Sequence, residues 1–260
     1  MSIEITIGPG GSFAQIAVEQ SDDVFWNNQD SKPHWPVPWC YGLKVAPHQS
    51  SNAFQAVPGG TLPQKLIYQD ALSAQSGVMW VYADFQMASS PYTATAGPSA
   101  SIPITTGGKS PYDTSKSTGV PSWISFAEST PDSSAGFNAV LTNPPAGSVT
   151  FNLNASDGLG KNIQQQVTIT VVDAFELMPG PYNAHPGQTT SIPLAQGGQP
   201  PYSTSNDGVP FWVTLAQPTS GSAGVFAVVT NPPAGGATFD FNATDALGNN
   251  INQKITITVS

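Results

Sequence analysis

The chain repeats itself. Phe85-Gln-Met-Ala-Ser-Ser-Pro-Tyr92 returns ninety residues later as Phe175-Glu-Leu-Met-Pro-Gly-Pro-Tyr182. Ser101-Ile-Pro-Ile104 returns as Ser191-Ile-Pro-Leu194, and Gly107-Gly-Lys-Ser-Pro-Tyr112 as Gly197-Gly-Gln-Pro-Pro-Tyr202. Further on, Val120-Pro-Ser-Trp-Ile124 pairs with Val209-Pro-Phe-Trp-Val213, now at an offset of 89. Thr142-Asn-Pro-Pro-Ala-Gly147 pairs with Thr230-Asn-Pro-Pro-Ala-Gly235 at an offset of 88. Asn154-Ala-Ser-Asp-Gly-Leu-Gly160 pairs with Asn242-Ala-Thr-Asp-Ala-Leu-Gly248, and Val167-Thr-Ile-Thr-Val171 with Ile255-Thr-Ile-Thr-Val259. Two single-residue deletions in turn-like segments account for the drift. A fixed period of this kind means that one supersecondary unit has been used twice.

Each unit alternates short β-branched runs with Gly, Pro, Asn and Asp. In Ser148-Val-Thr-Phe-Asn-Leu-Asn-Ala155, period-2 alternation puts Val149, Phe151 and Leu153 on one face and Thr150, Asn152 and Asn154 on the other. That is a half-buried strand. About seven such strands in roughly 90–100 residues predict an immunoglobulin-like sandwich. Trp123 and Trp212 hold equivalent places and are expected to plug the two cores. The 25 Gly and 25 Pro are the punctuation that so many turns require.

The order Gly-Gly-x-x-Pro-Tyr, Val-Pro-x-Trp, Ala-[Ser/Thr]-Asp-x-Leu-Gly and Ile-Thr-Val resembles a bacterial immunoglobulin-like family close to the cadherin-like and dystroglycan-like folds. The resemblance covers residues 85–260 and speaks to fold, with almost nothing on function.

Residues 1–84 lie outside the repeat. Glu19-Gln-Ser-Asp-Asp-Val-Phe-Trp-Asn-Asn-Gln-Asp-Ser-Lys-Pro-His34 resembles the cupredoxin (plastocyanin-like) motif of an acidic turn, a Val-x-Trp strand and a Pro-His pair. Val45-Ala-Pro-His-Gln-Ser50, Val57-Pro-Gly59 and Gly77-Val-Met-Trp-Val81 resemble the turns and closing strand that follow. The fold expected is therefore all-β: three consecutive antiparallel β-sandwiches. They are a cupredoxin-like domain at 1–84 and two immunoglobulin-like domains at 85–173 and 174–260. Tyr82-Ala-Asp-Phe85 and Val172-Asp-Ala-Phe175 leave little slack between them.

The cupredoxin resemblance implies copper, and the residues argue against it. Such a site takes two His, a Cys thiolate and a weak axial ligand. The loop that would carry Cys, His and Met reads Lys65-Leu-Ile-Tyr-Gln-Asp-Ala-Leu-Ser-Ala-Gln-Ser76, with none of the three. Only His34 remains in place. An alternative copper or zinc set of His34, Cys40 and His48 is close in sequence, but His48 falls in a turn that the family places away from the metal end. Calcium binding of the cadherin kind has carboxylates available at Asp84, Asp173, Asp157 and Asp245. No clustered acidic motif joins them, and Asp157 and Asp245 read first as turn residues. Asn154-Ala-Ser156 and Asn242-Ala-Thr244 match the glycosylation sequon and are read as turn chemistry. Asp22-Asp23 is a polar turn, and His185 an exposed loop residue.

Charged residues make up 9% of the chain, with seven Lys, no Arg and a net charge of −9. A basic face for nucleic acid is missing, no Arg fork can grip a carboxylate or phosphate, and anionic membrane surfaces repel such a chain. With one cysteine, no intrachain disulfide can form. No nucleophile elbow, phosphate loop or dinucleotide fingerprint is present. No run approaches the roughly 20 apolar residues of a membrane helix, so no membrane insertion is expected. Met1-Ser-Ile-Glu-Ile-Thr-Ile7 reads as a strand, not a signal peptide.

The functional expectation is a non-enzymatic structural or interaction protein of a cell surface, an appendage or a virion, hence extracellular. The immunoglobulin-like pair would be a spacer and the copper-free first domain the docking end. No cofactor is expected. Trp35, Trp39 and Tyr41, held by Pro33, Pro36 and Pro38, are the candidate binding residues for a protein partner or a glycan. The first strand and other sheet edges make self-association a further expectation. The alternatives are a copper-carrying electron-transfer cupredoxin and a carbohydrate-binding module.

Overall fold

Strands account for nearly all regular structure in the computed structural model, which describes residues 2–37, 44–56, 58–97, 99–129, 135–218 and 223–260. By Cα proximity the chain forms two compact units. The first comprises residues 1–90, 101–140 and 150–167; the second comprises 91–100, 141–149 and 168–260. The middle repeat is thus shared between them. Among the described residues no helix is long and apolar enough to cross a membrane.

In the first unit, seven strands build two sheets from residues 2–82: β1 (Ser2–Ile7), β2 (Ile16–Glu19), β3 (Asp23–Asn28), β4 (Pro36–Val37), β5 (Phe54–Gln55), β6 (Gln64–Asp70) and β7 (Ser76–Tyr82). One sheet runs β1-β3-β5, the other β2-β7-β6-β4. Alternation decides what is buried. Ile5 and Ile7 of β1, Val24 and Trp26 of β3, Tyr68 of β6 and Met79 of β7 share one core. The Trp26 ring meets Tyr68 edge-on at 4.7 Å. Each buried aliphatic side chain here contributes about 1.5–3 kcal/mol relative to exposure.

In the second unit, the last repeat has two four-stranded sheets. One contains Glu176–Leu177, Thr190–Gln196, Gly224–Val229 and Val213–Ala216; the other contains Tyr182–Ala184, Asn250–Val259, Ala237–Thr244 and Ser203–Ser205. Along Asn250–Val259, Ile251, Ile255, Ile257 and Val259 are buried while Thr256 and Thr258 face out. Trp212 is 6% exposed and belongs to this core. Its counterpart Trp123 is only half-buried, so the expectation that both tryptophans plug a core holds for one. The face assignment in the middle repeat is as the alternation requires, with Phe151 and Leu153 buried and Thr150 and Asn152 exposed.

The sheets are mixed, although antiparallel pairs predominate. A short strand lies parallel to the closing strand in each segment. Glu19 stands opposite Tyr82, Thr95 opposite Val172, and Ala184 opposite Val259. In the two repeats the cause is the Pro-Tyr step. Pro91 and Pro181 interrupt the first strand, so the chain pairs briefly in one sheet and then crosses to the other. β1 and β3 form a further parallel pair, with Ile5 opposite Trp26.

Candidate functional site

The repeated motif residues are architectural. Gly107 has φ +71, and a Cβ there would lie 2.0 Å from the Asp84 carbonyl oxygen; Gly197 has φ +70 and the same 2.0 Å clash with Ala174. Only glycine lets the backbones touch. Tyr112 and Tyr202 each donate a hydroxyl hydrogen bond of 2.7 Å to the carbonyl of the first glycine; the Tyr202 ring stacks on Phe175, and the Tyr112 ring meets Phe85 at a tilt. Asp157 accepts N–H bonds from Lys109 (2.8 Å), Leu159 (3.0 Å) and Lys161 (2.9 Å). Asp245 does the same for Gln199, Leu247 and Asn249. Both carboxylates are buried and face donors. A calcium ion needs oxygens converging on it, whereas these oxygens are turned to N–H groups, in accord with the turn reading. Asn154 and Asn242, by contrast, lie within strands Gly147–Ser156 and Ala237–Thr244, not in turns.

His34 is the one residue that matches a copper ligand, and its ring is fully engaged. Nδ1 lies 2.8 Å from Asp70 Oδ2 and Nε2 lies 3.0 Å from Asp30 Oδ2. Asp70 also accepts the N–H groups of Trp35 (2.7 Å) and Leu72 (3.1 Å) and the hydroxyl of Ser73 (2.7 Å). Burial favours neutral imidazole, but the Asp70 and Asp30 carboxylates outweigh it and hold His34 above its ordinary value. Burial likewise pushes Asp70 up, and its hydrogen bonds from Ser73, Trp35, His34 and Leu72 win, bringing it down to about 2. A ring with both nitrogens bound to carboxylates has no lone pair to give a metal. Gly11 makes room for it, since a Cβ there would lie 2.7 Å from His34 Cε1.

The other expected site residues are described only in part. His48 is exposed at φ +58. Trp39, Cys40 and Tyr41 lie outside the described residues. Trp35 is half-buried and packs against the N-terminal core. Among the described residues no three His, Cys, Asp or Glu side chains are arranged to hold a metal. His185 is exposed, as expected, and lies 2.8 Å from the Ser260 carbonyl. Large apolar side chains do reach solvent elsewhere: Trp80 is 37%, Ile67 60% and Phe211 95% exposed. Alternation along β7 could have located Trp80, since Met79 and Val81 point inward.

A polar cluster escaped the sequence reading altogether. Lys161 Nζ lies 2.5 Å from Asp22 Oδ1 and 3.6 Å from Glu19 Oε2. The Glu19 N–H donates to Asp22 Oδ2 at 3.0 Å, and the Phe85 N–H to Glu19 Oε1 at 3.1 Å. Burial raises Glu19 despite the Phe85 N–H and the nearby Lys161 charge. Burial acts the same way on Asp22, but its bonds with Lys161 and the Glu19 N–H hold it below its ordinary value. In the last repeat the residue matching Lys161 is Asn249, whose amide donates to Thr95 Oγ1 at 2.8 Å. All of the first cluster belongs to the first unit and all of the second to the second.

No family profile matches the sequence. No curated protein matches it either. Solved structures of tandem immunoglobulin-domain proteins do. A three-domain I-band fragment of titin is 9% identical with a TM-score of 0.36, over 99% of this chain and 97% of that one. Sidekick-1 immunoglobulin domains 1–5 are 12% identical with a TM-score of 0.36, over 95% of this chain and 59% of that one. An endo-fucoidan hydrolase of glycoside hydrolase family 107 is 17% identical with a TM-score of 0.35, over 66% of this chain and 33% of that one. At these values no residue role passes from those proteins to this chain.

Proposed function

We propose that this chain is a non-enzymatic structural or interaction protein of a cell surface, an appendage or a virion. It reads as three modules: a copper-free, cupredoxin-like docking end at 1–84 and an immunoglobulin-like spacer pair at 85–173 and 174–260. The observation that carries this is the state of His34, held through both ring nitrogens by Asp70 and Asp30. Two other buried acids, Asp157 and Asp245, likewise hold turns. A catalytic group has to reach a substrate; these groups reach backbone and one another.

The parallel β1–β3 pair and the two-sheet order of residues 2–82 support a cupredoxin-like first module. Partners would be proteins, a second copy of the chain, or a glycan at Trp35, Trp39 and Tyr41. β1 is a sheet-edge strand, which suits pairing between chains. Sedimentation velocity over a wide concentration range tests the assembly part of the reading. The expected result is reversible association that grows with concentration. A single monomer species at every concentration speaks against it.

A further inference from the structure

We propose that Lys161 and Asp22 are a modification site at which the two side chains condense to an intramolecular amide, with Glu19 as the proton shuttle. Three observations carry this. The first is proximity. Lys161 Nζ is in direct contact with Asp22 Oδ1, at 2.5 Å, with Glu19 Oε2 3.6 Å from the same nitrogen. The second is water exclusion. The Asp22 side chain is 0% exposed, Glu19 5% and Lys161 20%. The third is anchoring. Lys161 is tied at its N–H to Asp157 (2.9 Å), and its carbonyl accepts the Asp157 N–H (3.0 Å). Asp22 is tied to the Glu19 N–H, and Glu19 to the Phe85 N–H. Groups held so near an attack geometry react as though at very high concentration.

The step balances without any outside reagent. A proton passes from the Lys161 ammonium to the Asp22 carboxylate, leaving a neutral amine beside a neutral acid. Nζ then attacks Asp22 Cγ, forming the C–N bond. Glu19 takes a proton from the nitrogen and gives one to the departing hydroxyl. The Cγ–O bond breaks and water leaves. Ammonium plus carboxylate become amide plus water, with no change of oxidation state and Glu19 unchanged at the end. Burial raises Glu19 and so favours the protonated acid that this role needs. Burial lowers Lys161, but Asp22 and Glu19 outweigh it and raise it, and the same pairing lowers Asp22; the ion pair is therefore the resting state, and the neutral amine and acid are a minor form from which the amide is drawn.

Two internal comparisons sharpen the assignment. Lys254 and Asp240 also pair, at 3.5 Å, but are 68% and 59% exposed, so water surrounds both. At the matching place in the last repeat, Asn249 offers an amide in place of an amine. The proposal is thus confined to one site. In a chain with a single cysteine it would supply a covalent tie between residues 139 positions apart.

The test is the intact mass of the denatured, reduced full-length protein. The expected value is one water below the sequence mass, with or without Met1. Peptide mapping should yield one species joining the Asp22 and Lys161 peptides. Lys161→Arg and Glu19→Gln, each checked for folding by circular dichroism, should recover the full mass. A wild-type mass equal to the sequence, with Lys161 open to reductive methylation after denaturation, overturns the proposal. Amide formation undiminished in Glu19→Gln overturns the role given to Glu19.

Discussion

The Tyr112 hydroxyl donates to the Gly107 carbonyl at 2.7 Å, and Tyr202 repeats the bond to Gly197 at the same length. The glycine and the tyrosine of the Gly-Gly-x-x-Pro-Tyr motif are therefore two ends of one contact. Gly107→Ala should cost about 2–4 kcal/mol, because its Cβ meets the Asp84 carbonyl at 2.0 Å. Gly248→Ala is the control. Its φ is +85 with nothing within 4 Å, so only the backbone penalty of about 1 kcal/mol applies. Tyr112→Phe should lose about 1 kcal/mol. Urea unfolding of the three variants checks the ranking.

His34 should make stability depend on pH. Its folded value lies above the ordinary 6.5, so the charged ring contributes fully below about pH 6.5. That contribution is lost as pH rises through the folded value. Asp70 acts at the other end. Its value of about 2, against 3.8 ordinarily, gives stability present above pH 3.8 and lost as pH falls towards 2. Melting temperature should thus fall on the alkaline side of pH 6.5, and His34→Gln should flatten that limb. The variant should also be less stable by about 3 kcal/mol near pH 6, since two carboxylates lose their partner. An unchanged alkaline limb in His34→Gln would assign it to another group.

Asp157 and Asp245 should be insensitive to calcium. Each accepts at least three N–H bonds, so Asp245→Ala should cost about 2–3 kcal/mol by leaving those donors unpaired. Adding millimolar calcium should leave the wild-type melt where it is. A rise in melting temperature that vanishes in Asp157→Asn or Asp245→Asn would restore the metal reading.

The glycan alternative has its own readout. If the first module binds sugar through stacked rings, Trp39→Ala and Tyr41→Ala should abolish saturable signals on a glycan array while leaving the melt unchanged. Trp35→Ala should instead lower the melt, because Trp35 packs against the N-terminal core. An array without signal leaves protein contacts as the function of that end.

Local information was legible in the sequence and long-range pairing was not. Alternation at Val149–Leu153 placed side chains on the correct faces, because a strand's period is a property of its own residues. The repeat marked Gly107, Tyr112 and Asp157 as recurring positions, although their mutual contacts were invisible. His34 stands out in the sequence only through the resemblance of its surroundings to the cupredoxin motif. Its actual partner Asp70 is 36 residues away, at the end of strand β6, in a segment expected to be a loop and marked only by the ligands it lacks. Lys161 and Asp22 are separated by 139 residues, and nothing in the sequence connects the acidic turn that holds Asp22 with Lys161. Trp35 was grouped with Trp39 and Tyr41 by adjacency alone. Its carbonyl accepts the Ala71 N–H at 2.9 Å, and it packs against the N-terminal core.

The central proposal is that the first module follows a cupredoxin-like plan in which His34 serves structure and not copper. Copper analysis tests this most directly. The full-length protein is loaded with Cu²⁺ under oxidising conditions, dialysed, and measured for metal and visible absorption. The account predicts a colourless protein with far less than one copper per chain, and the same trace level in His34→Ala. One copper per chain, coloured and lost in His34→Ala, would contradict it.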